Sequence, residues 1–422
     1  MDYVVSPAGS LKGEVAAPPS KSYTIRAVLS SLLADGVSTV RSPLVSRDTQ
    51  AAFNACESFG GLVEWGKDEA RITGVGGKVK TPAGVVDTLN SGTTIRISTA
   101  IASLCGDKVS LTGDESIQRR PIQPLLDALK ELGVASSSMK GCPPVTVKGP
   151  LVGGFCGIRG DVSSQYVSAL LMAAPYAQED VIINITSPLK SRPYVDLTLN
   201  MLGLFGVDAV NDSYGRFTVP CNQTYEAADY TVEGDYSSAA FILGAAALTD
   251  SDVTVWNIFK DSLQADKKIV DIIRRMGAKV GVENDRVNVQ SDGGLKGIKV
   301  DLSDSPDLVP ITSVLGVLAE GRTEIVNAAH ARLKECDRIK AMASELKKMG
   351  ADITEREDGF LIEGGGLKGA RVDGWLDHRI IMALAIAAFK AEGKTIISGA
   401  EHVDVTFPSF KAVISGLGGK IK

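Results

Sequence analysis

Six cysteines in 422 residues, none spaced as C-x-x-C, and only three histidines leave no constellation of metal ligands and no disulfide framework. The cysteines (Cys56, Cys105, Cys142, Cys156, Cys221 and Cys336) read as reduced thiols, and a cytoplasmic protein is expected. No run of Lys or Arg occurs and the formal net charge is −5, which speaks against a general nucleic-acid binder, whose surface must be basic. Long hydrophobic runs are missing too. "IIMALAIAAF" (Ile380 to Phe389) falls far short of the roughly 18 residues that a membrane span requires. The opening "MDYVVSPAGSLKGEV" lacks the charged leader and apolar core of a signal peptide. Glycine is plentiful, yet "GVGG" and "GGG" have neither phosphate-loop nor dinucleotide spacing. No Ser/His/Asp or Cys/His nucleophile set stands out.

What is present is a repeat. An amphipathic segment ending in Gly recurs as "TQAAFNACESFGG", "IQPLLDALKELGV", "YVDLTLNMLGLFGV", "KKIVDIIRRMGAKV", "DRIKAMASELKKMGADI" and "SFKAVISGLGGKI". The glycines are Gly60, Gly133, Gly206, Gly277, Gly350 and Gly418, at intervals of 73, 73, 71, 73 and 68 residues. A more apolar helix precedes each copy, and a short alternating strand follows that helix. A hairpin-like pair follows every Gly but the last. The unit reads β-α-β-α-β-β, with one buried and one half-exposed helix, and the Gly fits a helical stop.

Six units in a chain of this length predict an α/β protein of two domains with three units each. The last copy lacks closing strands, and the N-terminal "DYVVSPAG…LKGEVAAP" is the expected supplier. One domain is then 1–20 plus 235–422 and the other, inserted, is 21–234, with the crossovers near Ser20 and "VEGDYSS" acting as a hinge.

Helix starts carry the polar residues: "SKS", "NSGTTIR", "DVSSQ", "EGDYSS", "SPD" and "DHR" for the apolar helices, and "RRPI", "SRPY" and "LKECDR" for their partners. Ser22, Ser163, Ser164 and Ser191, taken singly, read as N-caps. "RLKECDRIKAMASELKKMG" taken alone reads as a solvated helical face of i,i+3 and i,i+4 pairs. In "SPD", Asp307 alone reads as an acidic first-turn residue. The cations resist such readings. Lys21, Arg120, Arg192 and Arg379 all sit at or just before helix starts, the wrong end of the dipole, each at a cost of a few tenths to about 1 kcal/mol. A bound anion reverses that sign, because backbone N–H groups and cations then share it. If the helix starts of both domains face a common cleft, that cleft is an anion-binding chamber whose cations repel one another until anions arrive.

The ordered set "PPSKSYTIR", "NSGTTIR", "RRPI", "SSQYVSALL", "SRPY", "SPDLVP", "LKECDR", "DHR" and "TFPSF" resembles the 5-enolpyruvylshikimate-3-phosphate synthase (3-phosphoshikimate 1-carboxyvinyltransferase) family along the whole chain. The resemblance implies an inside-out α/β barrel fold of two domains, each of three β-α-β-α-β-β repeats, with the active site in the cleft between them. It also implies transfer of the enolpyruvyl group of phosphoenolpyruvate to the 5-hydroxyl of shikimate 3-phosphate, releasing phosphate, in aromatic amino acid biosynthesis. No metal and no cofactor are implied, and the chain is expected to act as a monomer.

Carried over motif by motif, the resemblance implies that Ser22 and Arg26 hold the shikimate moiety. Ser163, Ser164 and Ser191 would take its 3-phosphate, with Tyr194 beside the ring. Asp307 and Lys334 would meet the ring hydroxyls, Asp307 as base for the attacking 5-hydroxyl. Lys21, Gly92, Arg120, Gln165, Arg338 and Arg379 would surround phosphoenolpyruvate. Glu335 would protonate its methylene carbon, sharing that duty with Lys21.

Two departures stand out. Family members often carry lysine just before the "TFP"-like motif, where this chain has Val405, and asparagine four residues before the motif lysine, where it has His330, here a candidate hydrogen-bonding substitute. A sister enzyme moves enolpyruvyl onto a UDP-sugar but usually carries a catalytic cysteine near "GDESIQRRPI", which has none. A non-catalytic anion binder and an RNA-binding protein of similar repeats are the other readings. Intact Lys21, Asp307, Lys334 and Glu335 count against the first, and the acidic net charge counts against the second.

Overall fold

The computed structural model describes residues 1–422 and contains twelve α-helices in six pairs. These are α1 (Lys21–Leu33) with α2 (Arg47–Ser58), α3 (Gly92–Ala102) with α4 (Gln123–Glu131), and α5 (Ser164–Ala173) with α6 (Arg192–Leu204). They continue with α7 (Tyr236–Leu248) and α8 (Ile269–Arg275), α9 (Val309–Val317) and α10 (Arg338–Lys348), and α11 (His378–Ala388) and α12 (Phe410–Gly416). The first helix of each pair is apolar nearly all round and buried; every residue of α3, α7, α9 and α11 is buried. The second is amphipathic and covers it. Each second helix ends two residues before a glycine with positive φ, from +74° at Gly206 to +116° at Gly277. The left-handed turn these glycines make releases the chain from the helix at little steric cost.

Six four-stranded sheets accompany the pairs. In the third, Gly154–Ile158 runs parallel to Val181–Ile185, which pairs antiparallel with Arg216–Val219 and so reaches Val210–Asp212. The parallel pair is bridged by the buried helix, as a parallel connection requires. The antiparallel pair is the hairpin read from the sequence. A further two-stranded ladder joins Leu367–Lys368 to Ala391–Glu392.

The chain divides into two compact units, Pro19–Val232 and Met1–Pro18 with Glu233–Lys422. The first holds α1 to α6, three four-stranded sheets and one apolar core; the second holds α7 to α12, three four-stranded sheets, the two-stranded ladder and another core. In each, buried helices form the centre and sheets the outside, an inside-out α/β arrangement. No helix is long and apolar enough to cross a membrane.

The closing strands differ from the expectation. Asp2–Ser6 does complete the last sheet, but beside Lys420–Ile421, so the last repeat supplies one closing strand itself. Ser10–Ala16 instead leads the fourth repeat, parallel to Asp250–Trp256. The reason is local. The chain enters α7 from Gly234 and its N-cap Asp235 with no length left for a leading strand, and Ser10–Ala16 fills that slot. Reciprocally, Asp229–Thr231 lies parallel to Val37–Arg41 and leads the first repeat.

Candidate active site

In the unit Pro19–Val232, equivalent helix starts bring the candidates together. Ser20, not Ser22, caps α1, accepting the Tyr23 N–H, and Lys21 is the first helical residue. Lys21 Nζ lies 2.8 Å from an oxygen of Asp48, a buried first-turn residue of α2. Ser22 and Arg26, one turn apart on one face, recur in the next repeat as Gly92 and Arg96, and in the third as Ser164 and Ser168. Both arginines reach back to the carbonyl four residues earlier, Arg26 at 3.1 Å and Arg96 at 3.2 Å.

Arg26 is 1% exposed. It donates Nε to Thr198 Oγ1 at 2.9 Å and Nη2 to Ser168 Oγ and the Tyr194 carbonyl, at 3.3 and 3.0 Å. Those partners and the Ser22 carbonyl are all neutral, and burial pulls its guanidinium down to about 10. Four of the five N–H donors of a guanidinium are thereby used; one on Nη1 remains.

Gly92 opens α3 behind its cap Ser91. A Cβ there would meet Arg120 Nη1 at 2.6 Å and Arg96 Nη1 at 3.0 Å, so two guanidinia lie against the space a side chain would need. Arg120 also holds Ser116 Oγ at 3.0 Å. Gln165 accepts from Arg96 Nη1 and donates to Thr93 Oγ1 at 2.9 Å, which fixes its amide. Ser163 caps α5 through the Gln165 N–H, as its residue type suggests, while Ser164 is the first residue inside the helix. Ser191 is left-handed (φ +56°) and makes no capping bond, contrary to the simple capping reading. Tyr194, in the first turn of α6, offers its carbonyl to Arg26.

In the other unit, carboxylates dominate. Asp307 sits in the 3-10 turn Pro306–Leu308 leading into α9. Its Oδ1 is 2.6 Å from Arg338 Nη1 and 3.8 Å from Lys334 Nζ, and its Oδ2 is 3.0 Å from Arg379 Nη2. Burial alone would raise its pKa, but Arg379, Lys334 and Arg338 outweigh that and hold it well below the carboxylate range. Arg338, the first residue of α10, also binds Glu335, and its Nε donates to Asp377 Oδ2 at 2.8 Å. Burial would lower its pKa; three carboxylates raise it well above the usual value.

Asp377 is fully buried and caps α11 by accepting the Arg379 N–H at 2.8 Å. Arg379 is 2% exposed, yet its Nε and Nη1 have no hydrogen-bond partner. Such orphaned buried donors are rare and call for an acceptor. His330 lies buried in the 3-10 turn Ala329–Leu333, and Val405 is buried at the end of Ala400–Val405.

The expected mutual repulsion of the cations is therefore absent from this unit. Lys334, Arg338 and Arg379 face Asp307, Glu335 and Asp377, so opposite charges offset one another. Sequence reasoning missed Asp48, Arg96 and Asp377, and also Asp266, a buried carboxylate that accepts from the Ser237 hydroxyl and feels the charges of Asp307 and Arg379. Arg96 was findable, since "SYTIR" and "GTTIR" share their i,i+4 pattern; Asp48 meets Lys21 only through packing of α2 on α1. No three His, Cys, Asp or Glu side chains gather as a metal site.

Comparison with known proteins agrees over the whole length. A family model described as EPSP synthase (3-phosphoshikimate 1-carboxyvinyltransferase) matches residues 5–414. A relative from Methanocaldococcus jannaschii, named 3-phosphoshikimate 1-carboxyvinyltransferase, is 48% identical over 424 residues, covering 99% of each chain. One of the same name from Methanothermobacter thermautotrophicus is 49% identical over 412 residues, covering 97% of each. Among solved structures, an EPSP synthase from Acinetobacter baumannii superposes with a TM-score of 0.86 at 29% identity, covering 100% of this chain and 99% of that one.

Proposed function

The chain belongs to the EPSP synthase family, and from that premise we propose that the helix-start residues of both units serve one reaction: transfer of the enolpyruvyl group of phosphoenolpyruvate to the 5-hydroxyl of shikimate 3-phosphate, with release of phosphate. The observation that carries this reading is Arg379, a buried guanidinium with Asp307 on one nitrogen and no acceptor on the other two. A small carboxylate ligand supplies what those donors lack, and the fork geometry of arginine suits it in a way lysine would not.

The chemistry rests on exchange of partners. A phosphoenolpyruvate carboxylate that takes Arg379 and Arg338 loosens their hold on Asp307 and Glu335. Asp307, relieved of cations, becomes basic enough to accept the 5-hydroxyl proton as that oxygen attacks. Glu335, no longer pinned by Arg338, takes up a proton from solvent and delivers it to the methylene carbon, aided by Lys21. Elimination reverses the second step: Glu335 takes a proton back from the methyl group as the C–O bond to phosphate breaks, and the departing phosphate takes the proton that Asp307 accepted. Lys21, Arg120 and Gln165 hold the transferring phosphate, with Gly92 keeping the space open.

Ser163, Ser164 and Ser191 hold the 3-phosphate at the starts of α5 and α6, where backbone dipoles favour it. The last N–H of Arg26, with Ser22, meets the shikimate carboxylate, and Tyr194 flanks the ring. Lys334 and His330 meet the ring side. Unbridged cysteines are what a reducing cytoplasm would keep, and we read the protein as a monomer working there.

The test is phosphate release from phosphoenolpyruvate by purified protein, with shikimate 3-phosphate in one arm and UDP-N-acetylglucosamine in the other. Release in the first arm alone is expected. Release only with the UDP-sugar would move the protein to the sister activity, and silence in both would leave an anion binder. Glu335→Gln should keep ligand binding and lose at least 100-fold in turnover, roughly the range of general acid–base contributions.

A further inference from the structure

Glu345 has no part in the chemistry above, yet it is among the most thoroughly bonded carboxylates of its unit. It lies on α10 seven residues after Arg338, two turns on and on the same face. Its side chain is 1% exposed. One oxygen accepts the backbone N–H of Asp373 at 2.9 Å, the other accepts Nε1–H of Trp375 at 2.9 Å, and Lys348 Nζ lies within 2.9 Å of both. The segment it grips is unusual. Trp375 and Leu376 are consecutive non-glycine residues, both with φ near +53°, a conformation that side chains oppose and that persists only where surroundings impose it.

The next residue, Asp377, caps α11, fixes Arg338 and precedes Arg379 by two residues. Internal bonds in the turn are few: the Trp375 N–H reaches Asp373 Oδ1 at 2.8 Å and the Asp377 N–H reaches the Gly374 carbonyl at 3.0 Å. Gly374 is packed tightly, since a Cβ there would lie 2.4 Å from both Ile381 Cγ1 and the Ser398 carbonyl. The turn therefore has one face against α11 and the strand Thr395–Ser398, whose Ser398 hydroxyl donates to Asp373 Oδ1 at 3.3 Å. The Trp375 ring packs on the core, and Glu345 is the hold from α10.

We propose that Glu345 is a positioning residue: its buried carboxylate clamps Asp373 and Trp375 at the entry to the left-handed pair Trp375–Leu376, and so places Asp377, which fixes Arg338, and aims Arg379 at the anion that the two arginines hold. One face of α10 then sets the site twice, through Arg338 directly and through Glu345 by way of the turn. This inference rests on the assignment of Arg379 and Arg338 to phosphoenolpyruvate.

Glu345→Gln is nearly isosteric but presents an amide N–H₂ to one of two N–H donors, so the clamp must open on one side. The expected result is a rise of at least tenfold in KM for phosphoenolpyruvate with KM for shikimate 3-phosphate changed less than twofold. Trp375→Phe, which deletes the indole N–H bond along with part of the ring's packing, gives a smaller shift in the same direction, and the two effects are not additive. Hydrogen exchange read by mass spectrometry should quicken in 371–379 for Glu345→Gln and stay unchanged in the other helix starts.

A merely structural role would lower the unfolding midpoint and leave both KM values at wild type, which overturns the proposal. If wild-type protein releases no phosphate with either acceptor, the assignment of the site fails first. The exchange measurement then decides the clamp alone: unchanged protection of 371–379 in Glu345→Gln overturns it.

Discussion

Arg26 and Arg338 are both 1% exposed and both stand in the first turn or two of a helix, but they are housed differently. Arg338 lies among Asp307, Glu335 and Asp377, while Arg26 lies among two hydroxyls and two carbonyls. The pKa directions record the contrast: raised well above normal for the first, lowered to about 10 for the second. Neutral partners satisfy donors without cancelling charge, so Arg26 and Arg96 keep positive potential at helix starts of the unit Pro19–Val232, where Lys21 by contrast is paired with a carboxylate, Asp48. Carboxylates cancel charge, so the other unit holds its cations in balance and offers acids and bases for proton transfer. One set is suited to holding phosphates, the other to moving protons.

The most damaging way to probe this contrast is Arg338→Met, which takes from Asp307, Glu335 and Asp377 the cation they share, while Asp307 keeps Arg379 and Lys334. Removing one partner of a buried ionic network typically costs about 3–5 kcal/mol, to be read by urea denaturation. Arg26→Met removes a buried charge together with hydrogen bonds to neutral groups and should cost less, about 1–3 kcal/mol. Equal losses would mean that the carboxylates around Arg338 add nothing beyond hydrogen bonding, and the contrast would collapse.

Gly92→Ala comes next. The added methyl must displace Arg120 or Arg96, so kcat/KM for phosphoenolpyruvate should fall roughly ten- to hundredfold, the scale of a misplacement near 1 Å. The unfolding midpoint should hold, and a fall confined to stability would show that the two guanidinia have no ligand role.

Asp266 gives the smallest effect. Burial, and then the charge of Asp307, raise its pKa to about 7 although Arg379 and the Ser237 hydroxyl act the other way. The folded state thus binds this proton more tightly than the unfolded chain. Its contribution to stability is complete below the ordinary carboxylate value and is lost as pH rises through about 7. Asp266→Asn should flatten the decline in thermal midpoint between about pH 4 and 7; a wild-type slope retained in the variant would remove Asp266 from the balance.

Much of this was legible in order along the chain. The glycines at 60, 133, 206, 277, 350 and 418 announced six helix ends because a left-handed C-terminal turn is a local demand that glycine meets. The apolar first helices and amphipathic second helices were equally local, and so were the caps Ser163 and Asp377. Ser191 was not: its left-handed backbone removes the capping geometry its residue type suggests. Nor was the place of Ser10–Ala16, because pairing with Asp250–Trp256 is settled by which sheet has an unfilled parallel slot, not by the strand's own residues.

Periodicity, composition and helix-end chemistry therefore determined the repeat, its helices and the presence of cations where a helix dipole would exclude them, since each depends on neighbours within a few residues. Charge balance was decided only by the tertiary structure. Asp307 and Asp377 reach Arg338 across 31 and 39 residues of chain, and Arg26 meets Thr198 across 172. Whether a buried cation finds a carboxylate or a hydroxyl is a matter of which elements pack together, and in a medium of low dielectric that choice sets the charge, the pKa and the chemistry of the site.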